Sequence, residues 1–156
     1  MSLNIGINEN KRVEISKGLA KLLAETYTLY LKTHKYHWNV TGPMFQALHT
    51  MFMEQYTAMS LAVDEIAERI RVMDVKAPGS YTEFSALSSV KEDAAIDASA
   101  DIMIKNLLKD HEQVARTAKE ILPTLDGAND EGTNSLIVAR IEFHEKSAWM
   151  SISIIG

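Results

Sequence analysis

Residues 34–71 read HKYHWNVTGPMFQALHTMFMEQYTAMSLAVDEIAERIR. His34 and His37 stand beside Trp38 at the end of one apolar helical pattern, and Thr41-Gly42-Pro43 interrupts that pattern. Beyond the turn, apolar residues again recur at intervals of three and four, which is typical of an amphipathic helix. The stretch therefore predicts two consecutive helices joined by a tight turn, with histidines at the junction.

The rest of the chain extends this pattern to four main helices. We expect the first from about Asn10 to Trp38, capped by Asn8 or Asn10, the second from Pro43 to about Met73, the third over Ser99–Leu122 and the fourth over Asp130–Ile154. A short apolar turn at Tyr81, Phe84 and Leu87 interrupts the connection between the second and third. The prediction is an all-α four-helix bundle with a short extra helix in that long connection, because a bundle whose second and third helices run parallel needs a crossover.

Each main helix has one apolar stripe that predicts its core face. The stripes comprise Leu19, Leu22, Leu23, Thr26, Tyr27 and Tyr30; Phe45, Leu48, Phe52, Met59, Val63, Ile66 and Ile70; Ile102, Leu107, Val114, Ala118 and Ile121; and Leu136, Ile137, Ile141, Ala148 and Ile152.

Length and composition narrow the class of protein. The 156 residues predict one domain over 1–156, with a short segment 1–9 before the first helix. There is no cysteine, so a metal would be held by nitrogen and oxygen. We expect no secretory signal and no membrane span, and hence a cytoplasmic protein. The net charge is −5 and the basic residues are scattered, so the sequence argues against a strong positive potential that would attract nucleic acid.

Two pairs of potential metal ligands lie at opposite ends of the second helix. Asp64 and Glu68 are four residues apart, so both project from one helix face and repel unless a cation lies between them. The alternative is a solvated acidic face. His37 and His49 flank the turn at similar distances, so an antiparallel helix pair makes them neighbours. The alternative for each is a buried, hydrogen-bonded histidine.

The distance between the two pairs decides how they could cooperate. His49 and Asp64 are fifteen residues apart on one helix, which is about 22 Å along its axis. A metal about 2 Å from each ligand cannot reach both within one chain. One shared site therefore requires a two-fold dimer in which a second copy supplies Asp64 and Glu68. The semi-polar face of the second helix is then the dimer face; it carries His49, Met53, Tyr56, Thr57, Ser60, Asp64, Ala67 and Glu68.

Two other metal chemistries lack their motifs. No Glu-x-x-His is present, which disfavours a di-iron centre inside one bundle, and no His-Glu-x-x-His is present, which disfavours a zinc protease.

With these residues identified, nearly the whole chain resembles the Dps family of miniferritins, the DNA-binding proteins from starved cells of bacteria. The resemblance rests on HWNVTGPMFQALH at His37–His49, DEIAERI at Asp64–Ile70 and EFHEKSAWM at Glu142–Met150. It implies a ferritin-like bundle assembled into a hollow dodecamer of two-fold dimers.

The resemblance also implies an activity and a ligand set. His37 and His49 of one subunit and Asp64 and Glu68 of its two-fold mate would form a ferroxidase centre, next to Trp38. The centre would oxidise Fe(II) with hydrogen peroxide or O2, store ferric iron and protect against oxidative stress. Zn or Mn could occupy the same ligands.

Three further features bear on the iron site and its supply. Some members of the family have a carboxylate where this chain has Met53, so the second iron should bind more weakly. His34 is expected to have a hydrogen-bonding role beside the centre, and the alternative is that it helps the centre through water. Acidic pores for iron would fall near Asp126, Asp130 and Glu131, for which loop formation and helix capping are the alternative roles.

DNA binding is the other function that the family offers. Only Lys11 and Arg12 precede the first helix as basic residues, and the chain ends at Ile155-Gly156 without a basic extension. We therefore expect little direct DNA binding. A nucleoid-structuring protein with secondary iron chemistry is the alternative function, and a helical oligomer with structural histidines is the third.

Overall fold

The computed structural model describes Met1 and residues 3–156; Ser2, part of the predicted segment 1–9, lies outside the described residues. Within those residues the chain is helical and has no strand. The helices are α1 (Glu9–Asn39), α2 (Phe45–Val72), α3 (Tyr81–Leu87), α4 (Ala100–Ile121) and α5 (Glu131–Ile155), with a 3-10 turn at Leu122–Leu125 between α4 and α5. The all-α four-helix bundle with a short extra helix is confirmed.

Side-chain caps determine where four of the helices begin. The side-chain oxygens of Asn8, Ser80, Ser99 and Asp130 each accept a hydrogen bond from the backbone N–H three residues later. Because Asn8 is the cap, α1 begins at Glu9, slightly earlier than the sequence predicts.

The start of α2 differs from the prediction. Pro43 is not its first helical residue but lies in the preceding turn, where the Phe45 N–H donates to the Gly42 carbonyl oxygen at 3.0 Å. Gly42 has a φ of +107°, a conformation that favours glycine and lets the chain reverse between α1 and α2.

Cross-helix contacts establish the topology. α1 and α2 are antiparallel around the turn, and α1 is also antiparallel to α4, since Lys32 pairs with Asp110 and Tyr36 with Asn106. The second and third main helices therefore run parallel, as predicted. The crossover between them is held along α1, where the Lys35 ammonium donates to the Asp93 carbonyl oxygen at 2.6 Å.

The core contains most of the predicted apolar residues, with three clear exceptions. Phe45 and Ile102 are exposed, and Met103 and Ile104 take the inward positions at the start of α4. The prediction for Ile152 is also wrong, because it faces outward near the end of α5. Apart from Ile137, the buried residues of α5 are polar: Thr133, His144, Ser147 and Ser151.

Among the described residues, no helix combines the length and apolar character needed to cross a bilayer.

Candidate metal centre

His37 and His49 lock each other in place through reciprocal hydrogen bonds. The Nδ1 of His37 lies 2.7 Å from the carbonyl oxygen of His49, and the Nδ1 of His49 lies 2.8 Å from the carbonyl oxygen of His37. A carbonyl oxygen can only accept, so both Nδ1 atoms carry the proton. Nε2 is therefore the nitrogen of each ring that is left to bind a metal.

The two rings are also stacked. Their centroids are 3.7 Å apart and their planes are inclined by 16°. An imidazole lone pair lies in the plane of its ring, so two nearly parallel planes do not converge well on one ion. This geometry favours a separate ion, or a bridging water, for each histidine.

Aromatic side chains cover the histidine pair. Phe45 stacks on His49 at 5.0 Å, and Tyr56 meets His37 edge-on at 5.2 Å between ring centroids. His34 lies between Trp38 at 4.0 Å and Tyr56 at 4.2 Å. Burial is the main cause that lowers the pKa of His34, followed by the nearby charge of His37. His34 is thus a neutral stacking partner 6.2 Å from the His37 ring.

Asp64 and Glu68 lie on the exposed side of α2, away from the histidines along its axis. Neither carboxylate has an ion-pair or hydrogen-bond partner in the part of the chain that the structure describes. Their spacing of one helical turn leaves both free to face the same cation. They form an acidic half-site without a counter-charge.

Within one subunit these two pairs do not meet. Among the described residues, no three His, Asp or Glu side chains are grouped so that they could hold one ion. Between the pairs, the α2 face that includes Met53, Thr57 and Ser60 is exposed. A face that is open, partly apolar and terminated by unpaired ligands at both ends suits contact with a second copy.

Met53 occupies the position one turn after His49. Its side chain is 42% exposed and offers only a thioether, a weak and soft ligand for iron. Glu54, its neighbour, is also exposed but projects about 100° further round the helix. The histidine half-site therefore has no carboxylate of its own at this position.

The three candidate pore residues have different environments. Asp126 and Glu131 are exposed, whereas Asp130 is 4% exposed. The Asp130 carboxylate caps α5 and pairs with Arg69 at 2.5 Å. Asp130 thus caps α5, the alternative role that the sequence offers, through Oδ1, while its buried Oδ2 has no hydrogen-bond partner among the described residues.

Arg69 is a residue that the sequence did not single out. Its Nε donates to the Thr133 hydroxyl at 2.9 Å, and its guanidinium lies over Gly132, where an added Cβ would come within 2.8–2.9 Å. The Gly132-Thr133 step after an acidic cap is the only local signal for this contact. Through it, the end of α2 that carries Glu68 is tied to the start of α5.

A second histidine pair, also not predicted, lies inside the bundle. His111 on α4 and His144 on α5 have their Nδ1 atoms 2.9 Å apart, and the Nε2 of His111 lies 3.4 Å from Gln55 Oε1. Burial lowers the pKa of His111 to about 3 and lowers that of His144 well below its usual value. Both rings are neutral and structural.

Comparison with known proteins gives a consistent result. A family profile for the ferritin-like domain matches residues 16–156. An uncharacterised low-temperature-induced protein of Nostoc is 38% identical over 98% of this chain and 86% of its own length. The DNA protection during starvation protein 2 of Bacillus anthracis is 34% identical over 88% of this chain and 93% of its own length.

Solved structures extend the similarity to the fold. The Dps protein of Vibrio cholerae, described as a member of a broad superfamily of ferritin-like diiron-carboxylate proteins, superposes with a TM-score of 0.92. It is 28% identical, and the match covers 100% of this chain and 98% of that one. Dps from Staphylococcus aureus is 32% identical with a TM-score of 0.86, over 91% and 95% of the two chains.

Proposed function

Because this chain belongs to the Dps family of ferritin-like proteins, we propose that it oxidises Fe(II) and stores the ferric product. The reaction takes place where His37 and His49 of one subunit meet Asp64 and Glu68 of its two-fold mate. The observation that carries the proposal is the reciprocal hydrogen bonding of His37 and His49, which leaves both Nε2 atoms free for a metal.

The chemistry of the donor set fits iron. Two imidazoles and two carboxylates without counter-charges supply nitrogen and oxygen ligands, and the two carboxylates neutralise a divalent cation. The same ligands accept Zn or Mn, so selectivity comes from the redox reaction and from metal supply. Fe(II) is the substrate, and hydrogen peroxide or O2 is the electron acceptor.

The stacking of the two imidazoles bears on the number of irons. Since the ring planes are nearly parallel, His37 and His49 would bind metal at two positions rather than at one. In the proposed dimer, Asp64 and Glu68 coordinate the metal at one of these positions. The other position has no carboxylate ligand, because Met53 stands where one could be supplied. We therefore assign one firmly bound iron and one weakly bound iron to each site.

The proposal extends to assembly and iron uptake. Two-fold dimers would build a dodecameric shell in the cytoplasm that protects against oxidative stress during starvation. Asp126 and Glu131 would line the iron pore, since both carboxylates are exposed near the start of α5. We leave Asp130 out of the pore because it is buried and its Oδ1 binds Arg69 and caps α5.

Subunit mixing tests the shared site directly. One variant carries His37→Ala with His49→Ala, and the other carries Asp64→Ala with Glu68→Ala; each alone should oxidise Fe(II) no faster than buffer. A mixed two-fold dimer holds one intact site and one empty site, so random reassembly should restore roughly a quarter of wild-type activity. No recovery after mixing, with particles of the wild-type size, would exclude a site shared between subunits.

A further inference from the structure

Three tyrosine rings lie one after another in space, starting beside the proposed iron site. The Tyr56 ring is 5.2 Å from the His37 ring, the Tyr30 ring is 6.1 Å from Tyr56, and the Tyr27 ring is 5.8 Å from Tyr30. Each of the three is partly exposed. Phenol side chains at this spacing can pass a single electron from ring to ring, while their protons exchange with water.

The far end of this series lies against the two turns of α2 that also carry the acidic half-site. Tyr27 lines a cavity of about 290 Å³ together with Val63 and Ala67. Val63 directly precedes Asp64, and Ala67 directly precedes Glu68. The tyrosine series therefore begins at the histidines and ends at the carboxylate-bearing turns of the same subunit.

In the proposed dimer these two ends belong to different iron sites. The histidines of a subunit contribute to one site, and its Asp64 and Glu68 contribute to the other, about 22 Å away along α2. That separation is long for one electron-transfer step. Three intervening rings divide it into steps of about 6 Å.

The need for such a path follows from the proposed function, on which this inference rests. Hydrogen peroxide accepts two electrons in forming two waters, whereas one Fe(II) gives one. With Met53 in place of a carboxylate, each site holds one iron firmly. When the weak second position is empty, the second electron must come from outside that site.

We propose that Tyr56, Tyr30 and Tyr27 conduct an electron between the two iron sites of a two-fold dimer, so that both irons reduce one peroxide. First, Fe(II) at one site gives one electron to H2O2; the O–O bond breaks, and hydroxide and a hydroxyl radical form. The radical takes an electron and a proton from the Tyr56 hydroxyl and becomes water.

The tyrosyl radical, which is the missing electron, then moves from Tyr56 away from the first iron site. Tyr56 regains an electron from Tyr30, and Tyr30 from Tyr27, with each phenol proton returned from water. Tyr27 finally takes an electron from Fe(II) at the other site. In sum, two Fe(II), one H2O2 and two protons yield two Fe(III) and two waters, and no hydroxyl radical is released.

Tyr30→Phe is the variant that interrupts the path with least disturbance. Phenylalanine keeps the ring packing but cannot be oxidised like a phenol. The variant therefore has no oxidisable ring between Tyr56 and Tyr27, and the electron would have to cross both intervals in one step. The matched control is Tyr81→Phe, because Tyr81 lies 6.3 Å from Tyr27 on a side branch and is 67% exposed. Both proteins are loaded with one Fe(II) per site and given limiting hydrogen peroxide.

Two quantities are measured: the Fe(II) oxidised per peroxide and the yield of tyrosyl radical, by electron paramagnetic resonance of rapidly frozen samples. Wild type and Tyr81→Phe should oxidise two Fe(II) per peroxide with little tyrosyl radical left. Tyr30→Phe should fall toward one and accumulate severalfold more tyrosyl radical, because Tyr56 is oxidised but not refilled, at an unchanged particle size. Tyr27→Phe should behave like Tyr30→Phe, which separates loss of the path from a local packing defect.

The outcomes distinguish this path from the iron site itself. If wild type oxidises Fe(II) no faster than buffer, the proposed function fails and the path fails with it. If wild type is active but Tyr30→Phe matches it in both stoichiometry and radical yield, the ferroxidase stands and the electron path is wrong.

Discussion

The Nδ1 atoms of His111 and His144 lie 2.9 Å apart and join α4 to α5 inside the bundle. One ring must donate and the other accept, so at least the accepting ring must be neutral. Among the described residues no carboxylate contacts the pair: Gln55 and Phe143 are its neighbours, and the nearby Arg140 adds positive charge. Burial therefore disfavours a proton added to either ring, and the contact is lost when both rings are protonated.

Acid should weaken this contact and with it the fold. The folded-state pKa of His111, about 3, lies below the unfolded value, so stability is present above the unfolded pKa and is lost as pH falls toward the folded one. From an unfolded pKa of about 6.5, His111 alone costs about 2 kcal/mol by about pH 5, and His144 adds to the loss in the same direction. Urea unfolding of the wild type should show this loss between neutral pH and pH 5.

His144→Gln supplies the comparison for that measurement. Glutamine does not titrate and can still hydrogen-bond to His111, so the variant should lose less stability than wild type over the same pH interval. An equal loss in both proteins would mean that His144 is already charged in the folded state.

The contact between Arg69 and Asp130 makes a second prediction. Arg69→Ala leaves the Asp130 carboxylate buried without its cation, and because Arg69 is itself partly exposed the cost should be about 2 kcal/mol. Gly132→Ala should act in the same direction, since its Cβ would displace the guanidinium. Thermal unfolding measures both.

Arg71→Ala is the matched control for these variants. Arg71 lies two residues further on, is exposed and donates only to the Val75 carbonyl oxygen. Its loss should change stability by less than about 0.5 kcal/mol. A destabilisation of Arg71→Ala equal to that of Arg69→Ala would attribute the effect to general loss of charge near the end of α2.

Met53 should determine the strength of the second metal position. Met53→Asp adds a carboxylate one turn after His49, on the same helix face, and should tighten binding of a second Co(II) per site by about tenfold. Calorimetric titration measures this step. Met53→Asn has the same shape without the charge and should gain less. If Met53→Asp shows a single binding step like wild type, the second position lies elsewhere.

DNA binding should be weak in this protein. The net charge is −5, and binding to duplex DNA requires a cluster of basic side chains that neutralises phosphates. A gel-shift assay at neutral pH and low salt should show little or no shift. A shift that disappears steeply as salt is raised would indicate a basic surface formed by the assembled particle.

The number, order and direction of the helices follow from local sequence. Apolar periodicity, the Asn8, Ser99 and Asp130 caps and the Thr41-Gly42-Pro43 break act over a few residues, so they can be recognised without tertiary contacts. The separation of His49 from Asp64 is equally local, because the rise per residue of a helix is constant.

Only the tertiary structure decided which of these side chains meet. The mutual bonds of His37 and His49 depend on the register between α1 and α2, and the pairing of His111 with His144 depends on that between α4 and α5. Asp130 is a further example. Its local sequence is compatible with both a pore residue and a helix cap, and its partner Arg69 lies sixty-one residues away in the chain. Register is set by core packing along whole helices, and no short stretch of sequence carries that information.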